Sequence, residues 1–163
     1  MRSAHLLLLA LLTALPLRAQ TDDPLVMQAL AEAVAGCEAA GGTLILPEDP
    51  VARVDLTGDG IEDRIVSEDG AFCGPDLGYL GGSAGNRLHA IIGDHVQSLE
   101  AGSWTVADIA FTSEGETLMQ QRVLLLAVHG AACNSHGAAP CFIAYAWDGT
   151  RLISVLDMFD RQD

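Results

Sequence analysis

The amino-acid sequence predicts an α+β fold in which an N-terminal helix packs on a mainly antiparallel β-sheet or sandwich and disulfides staple the layers. Three observations carry this expectation. Near the start, Met27, Leu30, Val34 and Cys37 recur at three- and four-residue steps, which sets them on one stripe of a helix. From Thr43 onward the period changes to short apolar runs broken by glycine, proline and acidic turns, as successive antiparallel strands are. Finally, the chain holds four cysteines, an even number that suits a disulfide framework.

Residues 1–19 have the three parts of a secretory signal: a basic start at Arg2, an apolar run from Leu6 to Leu15 and a small residue at Ala19. The mature chain is expected to begin at Gln20, leaving a single exported globular domain over residues 20–163, periplasmic or secreted. An uncleaved anchor needs about twenty unbroken apolar residues. This run is shorter and meets Pro16, and no later segment is long enough to span a bilayer, so no membrane insertion is expected after cleavage. The length that remains suits one ordinary domain with a genuine core.

All eight basic residues are arginines, against 22 acidic ones, for a net charge of −14. The loss of Arg2 and Arg18 with the signal makes the mature chain more acidic still. Such a surface repels nucleic acid and anionic lipid; it favours solubility and attracts divalent cations or a basic partner.

In an oxidising compartment Cys37, Cys73, Cys133 and Cys141 default to disulfides, with three pairings open to sequence. Cys133 and Cys141 enclose a short loop between two apolar runs, and closing it is worth about 2–3 kcal/mol in the chain-entropy model. That staple leaves Cys37 with Cys73.

Element by element, Asp22-Asp23-Pro24 opens the helix with an acidic cap and a proline at the first helical position, where its missing N–H costs nothing. Gly41-Gly42 closes it. Strands are expected over Thr43–Leu46, Val51–Leu56, Asp63–Ser67, Leu88–Ile92, Val96–Leu99, Trp104–Phe111, Arg122–His129, Cys141–Trp147 and Leu152–Leu156. Val123–Val128 lacks polar alternation and so reads as the central strand, buried on both faces. Asp148-Gly149 carries the signal of a tight hairpin between the last two strands. Gly70–Gly85, with its many glycines and a proline, reads as a long surface loop.

One stretch implies a particular chemistry. In Asp55-Leu-Thr-Gly-Asp-Gly-Ile-Glu-Asp63 the carboxylates fall at positions one, five and nine, a hydroxyl at three and a backbone carbonyl at seven. Asp55, Thr57, Asp59, Ile61 and Asp63 thus form a set of hard oxygen donors suited to a flexible calcium site, and Gly60 allows the tight turn such a loop needs. An EF-hand is excluded, because its twelfth position requires glutamate and here is Val66. With strands on both sides, the expected structure is a hairpin whose turn wraps the ion.

Residues 54–66 resemble the calcium-binding hairpin of FG-GAP/VCBS-type repeats, which read as an apolar residue, Asp, any, Asp or Asn, any, Asp-Gly, two residues, Asp and an apolar strand. The resemblance implies Asp55, Asp59 and Asp63 as side-chain ligands and Ile61 as a carbonyl ligand. Thr57 departs from the usual Asp or Asn. Only this hairpin is carried over, since one copy of a repeat cannot build a propeller.

Other constellations carry less. His129, Cys133, His136 and Cys141 are zinc-ligand types, but zinc needs both thiols reduced. Gly81-Gly-Ser83-Ala-Gly85 matches a nucleophile elbow in letters only, since a strand rather than a helix follows it. The pairs Glu114/Glu116 and Asp157/Asp160 lie in a turn or near the terminus. The reading that results is an exported non-enzymatic domain with one calcium-binding hairpin, a binding or accessory module of the cell envelope whose partner is an envelope protein or glycan. A periplasmic inhibitor or ligand-binding protein acting through the Cys133–Cys141 loop is the alternative, and a hydrolase ranks behind both.

Overall fold

A computed structural model describes residues 23–75, 78–82, 85–113, 116–137 and 139–160. The expected signal segment and the mature start at Gln20 lie outside these residues, as do Asp22, Ser83 and Glu114.

Helix α1 spans Pro24–Ala39. The Asp23 carboxylate caps it by accepting from the Leu25 N–H at 2.9 Å, and Pro24 takes the first helical position. At the other end Gly41 adopts φ 85°, which lets the N–H groups of Gly41 and Gly42 return to the Glu38 and Cys37 carbonyls. The buried stripe is Val26, Ala29, Leu30 and Cys37, with Val34 partly buried beside it, whereas Met27 is 48 % exposed. Val26, four residues before Leu30, therefore takes the place that the sequence pattern gives to Met27.

Eleven strands form three antiparallel sheets among the described residues. One orders as β2-β3-β6-β7, from Val51–Val54, Asp63–Ser67, Asn86–Ile92 and His95–Ala101. A second orders as β11-β10-β9-β8, from Leu152–Ser154, Cys141–Trp147, Glu116–Val128 and Ser103–Ser113. The smallest, β1-β4-β5, joins Thr43–Ile45, Phe72–Gly74 and Gly78–Tyr79.

Strand alternation builds the layers. Ile65, Leu88, Ala90 and Ile92 of the first large sheet meet Leu124, Leu126 and Leu152 of the second in one core, so the two sheets stack as a sandwich. The next residues along, Val66 and Ile91, point the other way onto Val26, Ala29 and Leu30 of α1. Beyond the second sheet, Val123 and Ala146 are covered by Val155 of the short helix α2, Val155–Asp160. Strand β9 lies between β8 and β10, in the central position expected of Val123–Val128. The sandwich edges are tied by the Gln97 amide, which donates to the Leu152 carbonyl (2.9 Å) and accepts from the Leu152 N–H (2.8 Å).

The fold class is as expected, with local corrections. The stretch expected to be a loop, Gly70–Gly85, contains β4 and β5. The Cys37–Cys73 bridge brings residues 72–74 beside β1, where Leu44 faces Cys73. The last strand ends at Ser154 rather than Leu156, because the Ser154 hydroxyl accepts from the Leu156 N–H and the chain turns into α2. Both disulfides, Cys37–Cys73 and Cys133–Cys141, are formed. With both thiols of the second pair engaged, the zinc set at His129 and His136 has no thiolate to offer. Among the described residues no helix is long and apolar enough to cross a membrane.

Candidate metal centre in the β2–β3 loop

The pair Val54↔Asp63 closes the β2–β3 ladder, so residues 55–62 form the turn of a hairpin. Two posts fix it to the body. Leu56 is 1 % exposed and plugs the sandwich core. Asp63 is 6 % exposed, and its Oδ2 accepts from the Leu56 N–H at 2.9 Å, bridging the two ends of the loop. Gly58 and Gly60 turn the chain between these posts with φ 81° and 84°, a region where a Cβ would be strained.

Asp55 is the most heavily engaged group. Its Oδ1 accepts from the Gly58 N–H at 2.6 Å and the Thr57 hydroxyl at 3.5 Å. Its Oδ2 accepts from the Gly60 N–H and from Nη1 of Arg122, both at 3.0 Å. Asp59 Oδ1 accepts from the Ile61 N–H at 2.8 Å, while the Ile61 side chain is 67 % exposed. Among the described residues, no group of three or more His, Cys, Asp or Glu side chains converges on a single point as metal ligands do. In this conformation the loop's carboxylates face its own N–H groups and one arginine.

The electrostatics still join the three acids. Burial raises the Asp63 carboxyl above its ordinary range; the N–H of Leu56 opposes the shift, and the charges of Asp59 and Asp55 add to it. For Asp55, partial burial pulls upward but is outweighed by the N–H groups of Gly58 and Gly60 and by Arg122, and the net shift is downward.

Arg122 is the member of this polar cluster that the sequence did not reveal. It stands on β9, and its Nε and Nη2 bind the two oxygens of Asp108 at 2.8 and 2.9 Å while Nη1 reaches Asp55. Nothing local in the sequence marks it, since Arg122 and Asp55 lie 67 residues apart.

The remaining expected constellations stay apart from this loop. Gly82 and Gly85 pair with each other and lead into strand β6, where a nucleophile elbow needs a helix; Ser83 itself lies outside the described residues. His129 caps a 3₁₀ turn over Gly130–Cys133, with Nδ1 facing the Ala131 N–H. Glu116 begins β9, and Asp157 and Asp160 belong to α2. Comparisons with family models, characterised proteins and solved structures find no match to this chain.

Proposed function

We propose that this chain is an exported, disulfide-stapled binding or accessory module of the cell envelope whose β2–β3 loop takes one calcium ion. The ligands are the side chains of Asp55, Asp59 and Asp63 and the carbonyl of Ile61, as the resemblance to FG-GAP/VCBS hairpins implies, together with the Thr57 hydroxyl that the donor spacing adds. The observation that carries this reading is the crowding of Asp55, Asp59 and Asp63 into one short hairpin turn, closed by the Val54↔Asp63 pair. Burial raises the Asp63 carboxyl and the charges of Asp59 and Asp55 add to that shift, and a divalent cation is the partner that relieves such like-charge crowding. Export is supported by the two disulfides and by the signal-like residues 1–19.

Calorimetric titration with calcium after chelation, at moderate salt to screen diffuse attraction to the acidic surface, tests the proposal. Asp59→Ala should remove most of the heat and of the calcium-induced stabilisation, while Glu62→Ala should leave both in place. Equal responses from the two variants would reduce the loop to part of a diffuse negative field.

A second reading rests on the Cys133–Cys141 loop. Residues 131–137 are all exposed, Asn134 adopts a left-handed φ of 55°, and the disulfide fixes the segment at the sheet end. An exposed loop closed by a disulfide suits insertion into a partner, as an inhibitor or ligand binder. Replacing residues 134–140 and comparing pull-downs from envelope extract separates it from the calcium reading.

A further inference from the structure

A hydrogen-bonded serine, histidine and glutamate lie on the α1-facing side of the first large sheet, away from the calcium loop. His89 of β6 stands opposite Ser98 of β7, and its Nδ1 lies 2.9 Å from Ser98 Oγ. Its Nε2 lies 3.0 Å from Oε1 of Glu68, just past the end of β3. His89 is 2 % exposed and Glu68 6 %, while Ser98 is exposed on the edge strand.

The chemistry of the groups fixes the direction of this chain. A carboxylate can only accept, so the imidazole proton sits on Nε2 facing Glu68. Nδ1 then carries a lone pair, and the Ser98 hydroxyl donates to it. Ser98, an exposed residue, thus has a buried base at its proton and a buried carboxylate holding the base in the right tautomer. That is the arrangement nucleophilic catalysis requires, with the roles of the two ring nitrogens exchanged relative to the chymotrypsin triad. Two residues along each strand, on the same face, the pair Arg87↔Glu100 lines a cavity of about 340 Å³ between this sheet and α1. Glu68 lines it as well, and Arg87 is the one basic group among its described lining residues.

We propose that Ser98 is a histidine-activated nucleophile that accepts the acyl group of a small activated ester at the exposed face of β7, beside the cavity that Arg87 and Glu100 line. Ser98 Oγ attacks the carbonyl carbon as its proton passes to His89 Nδ1, and the carbonyl electron pair moves onto oxygen. Collapse of that intermediate expels the alcohol, which takes the proton from Nδ1 and leaves an ester on Ser98. Water reverses the sequence, giving its proton to Nδ1 and releasing the acid as the proton returns to Ser98. Ser98 and His89 touch the reacting atoms; Glu68 is a positioning residue that acts through His89. This activity is independent of the calcium loop and goes beyond the binding role proposed above.

The probe is a small alkyl fluorophosphonate, whose phosphorus takes the serine oxygen and releases fluoride. Treated wild-type protein should carry one adduct, mapped to Ser98. General-base assistance is worth roughly 10²–10⁴-fold, so Ser98 should react at least about a hundredfold faster than the exposed Ser103 and Ser135 of the same molecule. Ser98→Ala should abolish the adduct while keeping the fold. In Glu68→Gln an amide N–H can face Nε2, which moves the imidazole proton to Nδ1, so the maximal labelling rate should fall tenfold or more. The downfield proton resonance of Nε2–H should vanish with it, a change that lowered stability alone would not produce. Labelling of Ser98 no faster than of Ser103 and Ser135, or no adduct on Ser98, overturns the proposal. So does a folded Glu68→Gln that has lost the Nε2–H resonance and still labels at the wild-type rate. The internal comparison within wild-type protein decides the matter by itself should Glu68→Gln not fold.

Discussion

The Arg122 guanidinium and a calcium ion would compete for the same oxygen, and replacing Arg122 with Gln measures that competition. Nη1 sits 3.0 Å from Asp55 Oδ2. A calcium ion bound to that oxygen at about 2.4 Å would lie within roughly 5.4 Å of Nη1 even in the most extended geometry. A single positive charge repelling a double one at that distance, in water-like dielectric and about 0.1 M salt, corresponds to a factor of roughly five to ten in dissociation constant. Arg122→Gln should therefore bind calcium about five- to tenfold more tightly. The advantage should shrink toward nothing in about 1 M salt, where the Debye length is near 3 Å. In chelator the variant should be no more stable than wild type, because it loses its bonds to Asp55 and Asp108, and exposed ion pairs contribute little. Calorimetry gives the affinity and thermal melting in chelator gives the stability. An affinity unchanged within twofold, or weakened, would mean that Asp55 Oδ2 is not a ligand and that the arginine is merely structural.

Two further outcomes follow from the covalent and titrating groups. Sequence separations of 36 and 8 residues give chain-entropy stabilisations of about 4 kcal/mol for Cys37–Cys73 and about 2.5 kcal/mol for Cys133–Cys141. Denaturant unfolding of the two paired Cys→Ala variants should rank them in that order, and the reverse ranking would show that native packing outweighs loop closure. At the β10–β11 turn, the Asp148 carboxyl is lowered to about 2, chiefly by the Thr150 hydroxyl and then by the N–H groups of Arg151 and Thr150. A depressed folded value contributes stability above the unfolded carboxylate range, near 3.9, and loses it as pH falls toward 2. The gap in melting temperature between wild type and Asp148→Ala should therefore narrow between about pH 4 and pH 2. Asp63 is raised rather than lowered, so it contributes the opposite slope: its stabilisation is present below the unfolded value and lost as pH rises through the folded one. A gap that stays constant across the acid range would remove Asp148 from the acid response.

Where a residue's fate depends on its neighbours in sequence, the chain could be read directly. Strands Asp63–Ser67 and Cys141–Trp147 fall where the apolar runs and their flanking turns put them. The Asp23-Pro24 start of α1 needs only local capping chemistry. The readings that failed depended on partners. Phe72-Cys73-Gly74 is too short and glycine-rich to announce a strand, and it becomes one because β1 and the disulfide lie alongside. Leu152-Ile-Ser-Val-Leu156 is apolar throughout, so its pattern could not show where strand gives way to helix. The polar clusters were less legible still. Glu68, His89 and Ser98 are separated by 21 and 9 residues, and only strand register brings them together. One signal was available: His89 stands inside the apolar run Leu88–Ile92, where a buried ring must find partners for its nitrogens.

On the calcium reading, the way the loop is mounted decides what kind of signal the ion can give. Leu56 in the core and Asp63 at the last ladder pair hold both ends of the loop as part of the sandwich, ion or no ion. An ion can therefore rearrange only the segment between them, and its first effect beyond the loop is to displace Arg122 from Asp55. Arg122 then keeps its two bonds to Asp108, so β8 and β9 need not move. What changes is charge: the loop becomes less negative by the charge of one divalent cation, at the shallow groove lined by Thr57, Gly58, Asp108, Gln120, Gln121 and Arg122. A partner reading calcium occupancy on this face would therefore sense a change of surface potential rather than of shape, and its affinity should follow calcium in a salt-sensitive way.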